Sequence, residues 1–391
     1  MSVTTPKGFV AAGVAAGMRS SGKPDVALVV NEGPLKVGVG VFTSNRVVAA
    51  PVTWSQQVVA DGRVDAVVLN AAGANACTGP EGFVDTHITA ERTARALCET
   101  GRDVSSADVA VCSTGLIGVR LQMDKLLPAI DAAAVALDGN AGTAAAGAIM
   151  TTDSVPKLTS LSRDGWSIGG MAKGAGMLAP GMATMLSVMT TDAVIDAEQA
   201  QQALARAVTS TFNRVDSDGC MSTNDTVLLL ASGASGVEPD IEDFEQALLQ
   251  ASADLSRQLV ADAEGATHDI SVTVVNATTE AAAEAVARAI ARSNLFKAAI
   301  FGGDPNWGRI ISAAGTVPAD VAPYDATQLD VTVNGVQVCR ASGVGDDRSG
   351  VDLSGREVFV TLDLNAGQAS ATVWTNDLTH DYVHENSAYS T

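Results

Sequence analysis

Basic side chains, aromatic rings and histidines are scarce in this chain. Lys and Arg number 24 against 44 Asp and Glu, a formal net charge of −20 over 391 residues. A chain this acidic repels phosphate backbones and anionic membrane surfaces, so neither nucleic acid nor membrane is an expected partner. A local cationic pocket for an amino-acid carboxylate remains compatible with that charge. Aromatic residues make up only 4% while Ala and Gly abound, which favours close packing of small side chains between layers. The five cysteines are odd in number, widely spaced and free of any Cys-x-x-Cys, so neither a disulfide framework nor a zinc ribbon is expected. They read as small buried thiols of a reducing compartment. No run approaches the ~20 apolar residues of a membrane span. Residues 8–18 are apolar but short, glycine-punctuated and preceded only by Lys7, unlike a signal sequence; a cytoplasmic protein is expected. His380 and His384 have the spacing of two ligands on a helix face, but no His-Glu-x-x-His accompanies them. No metal is expected. Residues 71–79 form a glycine-rich loop without Gly-Lys-Ser/Thr or dinucleotide-fold spacing, which argues against a nucleotide loop.

What is present is a globular composition, 47% hydrophobic and 17% charged, long enough for two lobes. Strand signals lie at 26–30, 37–42, 66–70, 108–112, 166–172, 184–190, 226–231 and 269–276. Gly33-Pro34 between the first two allows a hairpin. Helical periodicity runs over 86–99, 123–150, 197–212, 241–262 and 278–292. The C-terminal part is strand-rich at 328–340, 356–364 and 369–375, with a loop over 341–355. Residues 301–310 read as a rigid loop rich in turn formers. Asp216 and Asp218 lack the closing Glu of a calcium loop and read as a turn.

The stretch around which the chain is organised runs from Lys173 to Ser187. A glycine-rich approach, Lys173-Gly174-Ala175-Gly176, leads through Pro180-Gly181 into the apolar strand that starts at Thr184. A turn into a core strand accounts for these residues. So does an N-terminal nucleophile. If the Ala183–Thr184 bond breaks, Thr184 gains an α-amine of ordinary pKa near ~8. That amine can take the proton of its own hydroxyl without a separate histidine. Farther upstream a buried strand ends in Ser113-Thr114-Gly115, whose tight turn exposes donors of the kind an oxyanion hole needs.

These motifs bear a family resemblance. Lys-Gly-Ala-Gly-Met-Leu-Ala-Pro-Gly-Met-Ala-Thr-Met-Leu resembles the self-cleaving centre of the ornithine acetyltransferases, or glutamate N-acetyltransferases, of arginine biosynthesis. Ser-Thr-Gly at 113–115, Thr-Thr-Asp at 151–153, Ser-Thr-Asn-Asp-Thr at 222–226, Glu-Gly-Ala-Thr at 264–267 and Phe-Gly-Gly-Asp-Pro-Asn-Trp-Gly-Arg at 301–309 follow in the family's order. The chain departs at Gly181, where many members carry Asn, and at Ser390, where many carry a basic residue. The resemblance implies an α/β layered sandwich of the aminopeptidase/ornithine acetyltransferase type, self-cleaved into an α chain, 1–183, and a β chain, 184–391. It makes Thr184 the nucleophile and Thr114 with Gly115 the oxyanion hole. Thr151, Lys173, Thr184, Glu264, Asn386 and Thr391 would bind substrate. It implies acetyl transfer from N-acetyl-L-ornithine to L-glutamate by a ping-pong route and an α2β2 heterotetramer. No cofactor is implied, and acetyl-CoA as a second donor is left open. A related N-terminal-nucleophile aminopeptidase or amidase, with water as acceptor, and an uncleaved binding protein are the competing readings.

Overall fold

The computed structural model describes residues 2–179 and 185–388. Fifteen strands among them form three sheets. The first sheet joins Phe9–Val14, Val26–Asn31, Ala66–Asn70 and Val109–Ser113, in that order. The last two run parallel and the others antiparallel. The second sheet runs Val37–Phe42, Thr226–Ala231, Leu186–Thr191, Ser167–Lys173 and Lys157–Ser162. Within it only Leu186–Thr191 and Thr226–Ala231 are parallel.

These two sheets stack face to face. Val29, Leu69 and Cys112 of the first meet Met171, Val188 and Leu230 of the second in one dry core. The outer face of the first sheet is covered by the helices Gly79–Glu99 and Met123–Val135, through Leu97, Leu126 and Ile130. Ala197–Ser210 and Ile241–Ala261 cover the second, through Leu204, Phe244, Leu248 and Leu255. The result is a helix–sheet–sheet–helix sandwich. Because both faces of each sheet are covered, central strands such as Val26–Asn31 and Leu186–Thr191 are buried at every position rather than at alternate ones. The covering helices start where the sequence offers caps: Asp196 accepts the Gln199 N–H and Asp240 those of Glu242 and Asp243.

The third sheet runs Gly343–Val344, Val336–Arg340, Asp330–Val333, Glu357–Asp363, Asp269–Ala277 and Ala369–Asn376. It packs on the helices Glu280–Ala291, Asn294–Phe301 and Trp307–Ala314 around Val272, Val286, Ile310 and Val360. All of it follows residue 184, and all of the first sheet precedes it. The second sheet draws on both sides.

Several expectations are corrected. Val26–Asn31 and Val37–Phe42 are not a hairpin. Leu35 N–H bonds to Ser232 O, the chain crosses between sheets, and Val37–Phe42 pairs with Thr226–Ala231. The helix expected over 123–150 is two, Met123–Val135 and Gly142–Ala148. Between them Asp138 exchanges two backbone hydrogen bonds with Ala11 and its carboxylate accepts the Asn140 N–H, which ends the first helix. The loop expected over 301–310 is only the short link 302–306: Phe301 ends one helix, and Trp307–Ala314, capped by Asn306 through the Arg309 N–H, takes the rest. Strands Phe9–Val14 and Lys157–Ser162 and helix Ala50–Val58 were not anticipated. Cys77, Cys98 and Cys220 are exposed, and only Cys112 and Cys339 are buried. The first three lie in loops or on the last turn of a helix, where no layer covers them. No helix among the described residues is long and apolar enough to cross a membrane.

Candidate active site

The parallel strands Ala66–Asn70 and Val109–Ser113 end side by side, and the turn at Thr114-Gly115 is locked there. Thr114 N–H donates to Asn70 O at 3.0 Å and Ala74 N–H to Leu116 O at 3.0 Å. Asn70 Nδ2 reaches Ser113 Oγ at 2.7 Å. Asn224, from far along the chain, clamps both loops by donating to Ala74 O and Ser113 O at 2.6 and 2.8 Å. Gly115 has φ +131°, and a Cβ there would stand 2.8 Å from Gly73 N. Only glycine fits, which explains a signal that looked generic in the sequence.

Lys173 ends the strand Ser167–Lys173 and is 1% exposed. Its Nζ donates to Thr114 Oγ1 at 3.1 Å. An ammonium can only donate, so the threonine oxygen serves as acceptor and its own O–H is left to donate elsewhere. That is the arrangement an oxyanion donor requires. Burial lowers the Lys173 pKa, and Asp153 opposes the shift. Asp153 is the hub of this region. It accepts Gly174 N–H at 2.7 Å, Lys157 Nζ at 2.5 Å and, through Oδ2, Thr151 N–H at 2.9 Å. Burial pushes its carboxyl up, but Lys173, Lys157 and the hydrogen bonds outweigh that and bring it down to about 2. The fully buried Lys157 also pairs with Asp262. Thr151 is further fixed by Arg19, whose guanidinium donates to Met150 O and Thr151 O at 2.6 and 3.0 Å. Thr151, Lys173 and Thr114, expected from the sequence to serve separate roles, are thus tied into one network. Asp153 and Arg19 were missed as parts of it. Asp153 stood in the quoted Thr-Thr-Asp motif; Arg19 left no sequence signal, since it binds backbone carbonyls more than 130 residues away.

Ala183 and Thr184 lie outside the described residues. The chain that leads away from them is buried and hydrogen-bonded at once. Met185 is 1% exposed, its N–H donates to Asp225 Oδ1 at 3.0 Å and its carbonyl accepts Thr226 N–H at 3.1 Å. Lys173 faces Leu186 across the antiparallel ladder. The strand end next to Thr184 therefore abuts Lys173 and, through it, Thr114.

A second group of residues meets on the glycine approach. Glu264 N–H donates to Ala175 O at 3.0 Å. Its carboxylate lies against Gly176, where a Cβ would come within 2.5 Å of Oε1. Asn386 Nδ2 donates to Glu264 Oε2 at 2.9 Å. The tail that carries Asn386 is the helix His380–Ala388, seated on the Glu264 loop: Thr379 Oγ1 donates to Gly265 O at 2.6 Å, and a Cβ on Gly265 would strike Tyr382 N at 2.2 Å. Asp377 fastens the other side by accepting Thr267 N–H and His268 N–H, both at 2.9 Å. Burial raises its carboxyl, and the His268 and Thr267 hydrogen bonds more than reverse the shift. Burial, Asp218 and Glu264 push the Tyr382 hydroxyl up to about 12. Thr391 lies outside the described residues.

The ArgJ family profile matches residues 10–391. The chain is 60% identical over 390 residues to the arginine biosynthesis bifunctional protein ArgJ of Streptomyces coelicolor, covering all of both chains. It is 58% identical over 394 residues to the protein of the same name from Bifidobacterium longum, again covering both. Among solved structures, ornithine acetyltransferase complexed with ornithine from Mycobacterium tuberculosis matches 47% of this chain and 96% of its own at 56% identity, with a TM-score of 0.46. From its first strand to its last residue, this chain belongs to the ArgJ family.

Proposed function

We propose that the chain is an autoproteolytic acyltransferase of arginine biosynthesis that moves an acetyl group from N-acetyl-L-ornithine to L-glutamate. The observation that supports the site most directly is the Lys173–Thr114 contact at the end of the strand pair that leads to Thr184. Self-cleavage between Ala183 and Thr184 leaves residues 1–183 and 184–391 associated, since strands from both sides interleave in the second sheet. Two such pairs form the α2β2 assembly, a cytoplasmic enzyme with no cofactor.

In the first half-reaction the Thr184 α-amine takes the hydroxyl proton while Oγ attacks the acetyl carbonyl. Thr114 O–H and the Gly115 backbone receive the developing oxyanion. The C–N bond then breaks, the proton passes to the leaving nitrogen, L-ornithine departs and an acetyl ester stays on Thr184. In the second, the amine of L-glutamate attacks the ester. The Thr184–acetyl bond breaks, Oγ regains a proton from the attacking nitrogen, and N-acetyl-L-glutamate leaves. Thr151, Lys173, Glu264, Asn386 and Thr391 bind the two amino acids in turn. Acetyl-CoA serves as a second donor to the same threonine.

Intact mass spectrometry of the purified protein beside Thr184→Ala tests this. The expected result is two fragments, the second beginning Thr-Met-Leu-Ser, and one uncut chain in the variant. N-acetylornithine should add one acetyl group to the second fragment and glutamate should remove it. An active but uncut wild-type chain would overturn the α-amine as base. Release of the acetyl group as acetate, with none on glutamate, would overturn the transfer.

A further inference from the structure

Asp225 is a fully buried carboxyl that the reaction above leaves without a task. Its hydrogen-bond partner, Met185, directly follows the nucleophile in the chain. Its Oδ1 accepts the Met185 N–H at 3.0 Å, and that nitrogen is bonded to the carbonyl carbon of Thr184. The Thr226 N–H next to it holds the Met185 carbonyl, so the two successive residues Asp225 and Thr226 grip Met185 from both ends. Asp225 is itself held: its own carbonyl accepts the Thr43 N–H at 2.9 Å, and the preceding Asn224 clamps the oxyanion turn. One short segment, 224–226, thus touches both the loop that receives the oxyanion and the residue that follows the nucleophile.

We propose that Asp225 is a positioning residue for Thr184, fixing the Thr184–Met185 peptide plane relative to the Thr114-Gly115 turn in both self-cleavage and acetyl transfer. An error of about an ångström in such a geometry is enough to cost about 10²-fold in rate. The working feature is the Oδ1 acceptor that faces the Met185 N–H. Oδ2 is buried as well, and the Ser222 side chain hydrogen-bonds the carboxyl. Burial holds its pKa well above the usual carboxylate range, against the Met185 N–H and the Lys173 charge. A neutral amide of the same shape should therefore do the same work.

The inference rests on Thr184 as the nucleophile. The test measures self-cleavage by intact mass, and kcat and KM for transfer from N-acetylornithine to glutamate, in wild type, Asp225→Ala and Asp225→Asn. The alanine variant should mature at least tenfold more slowly and then lose roughly 10²-fold in kcat with KM little changed. Asparagine, which keeps the acceptor, should recover most of both losses. If alanine does not yield folded protein, Asp225→Ser replaces it: its hydroxyl is too short to reach the Met185 amide and leaves a smaller void. Folded alanine or serine variants that cleave and turn over like wild type would overturn the proposal. So would an asparagine variant as impaired as the shortened ones, which would make the negative charge the working feature. A wild-type chain that neither cleaves nor acetylates would instead remove the nucleophile reading itself.

Discussion

At the level of single residues, the site is a set of buried ionisable side chains tied together by hydrogen bonds. Thr114 is expected to act through its hydroxyl hydrogen, because Lys173 occupies the oxygen as a donor. Thr114→Val keeps the shape and removes that hydrogen. It should lower kcat by roughly 10²–10³, the usual effect of losing one oxyanion donor, with KM nearly unchanged in steady-state kinetics. Asp153 carries an electrostatic consequence for stability. Its carboxyl stands at about 2 in the folded chain, below the ~3.9 of an unfolded aspartate. A depressed acid stabilises the fold fully above its unfolded value, and the benefit disappears as pH falls through the folded one. About 2 kcal/mol should therefore vanish between roughly pH 4 and pH 2. Urea unfolding of wild type across that window should show a slope that Asp153→Asn lacks. At pH 7 the same variant should be less stable by roughly 3 kcal/mol, since the buried Lys173 loses the carboxylate that opposes its burial while Lys157 keeps Asp262.

Among the elements, the C-terminal helix His380–Ala388 has the clearest task. Through Thr379, Tyr382 and Asn386 it is seated on the Glu264 loop, and that loop backs the glycine approach. Such a cover keeps water from an ester. Removing residues 386–391 should raise acetate release relative to acetylglutamate formation, by several-fold or more, in a side-by-side product assay. An unchanged ratio would assign the helix to binding alone. Elements also show what sequence reading can reach. The long amphipathic helices and the most apolar strands were legible because hydrophobic period is local, whereas Phe9–Val14, Lys157–Ser162 and Ala50–Val58 were not. Thr114, Lys173 and Glu264 were legible because each sits in a motif that is contiguous in sequence. The false hairpin at Gly33-Pro34 shows the limit: turn chemistry reports that the chain bends, not which sheet it enters. The missed Arg19 and the unassigned Asp225 share one cause. Each acts on the backbone of a distant segment, and backbone contacts leave no mark on the partner's residue type.

For the molecule as a whole, the decisive arrangement is the second sheet. Val37–Phe42, Lys157–Ser162 and Ser167–Lys173 precede the Ala183–Thr184 bond, whereas Leu186–Thr191 and Thr226–Ala231 follow it. The ladder between Ser167–Lys173 and Leu186–Thr191 and that between Val37–Phe42 and Thr226–Ala231 both join the two halves. Cutting the chain removes one covalent bond and none of these pairings. The matured protein should therefore run as one species in native mass spectrometry and melt in one transition. Denaturation is another matter. The uncut Thr184→Ala chain should regain its own fold at a rate independent of concentration, and only its later pairing with a second unit should depend on it. The matured protein releases two separate chains, and its recovery should slow in proportion to dilution. On the proposed cleavage the molecule would have a history: the information that brings the strands together would be available as a single thread only once, and after the cut an unfolded molecule could recover its fold only by two chains meeting again.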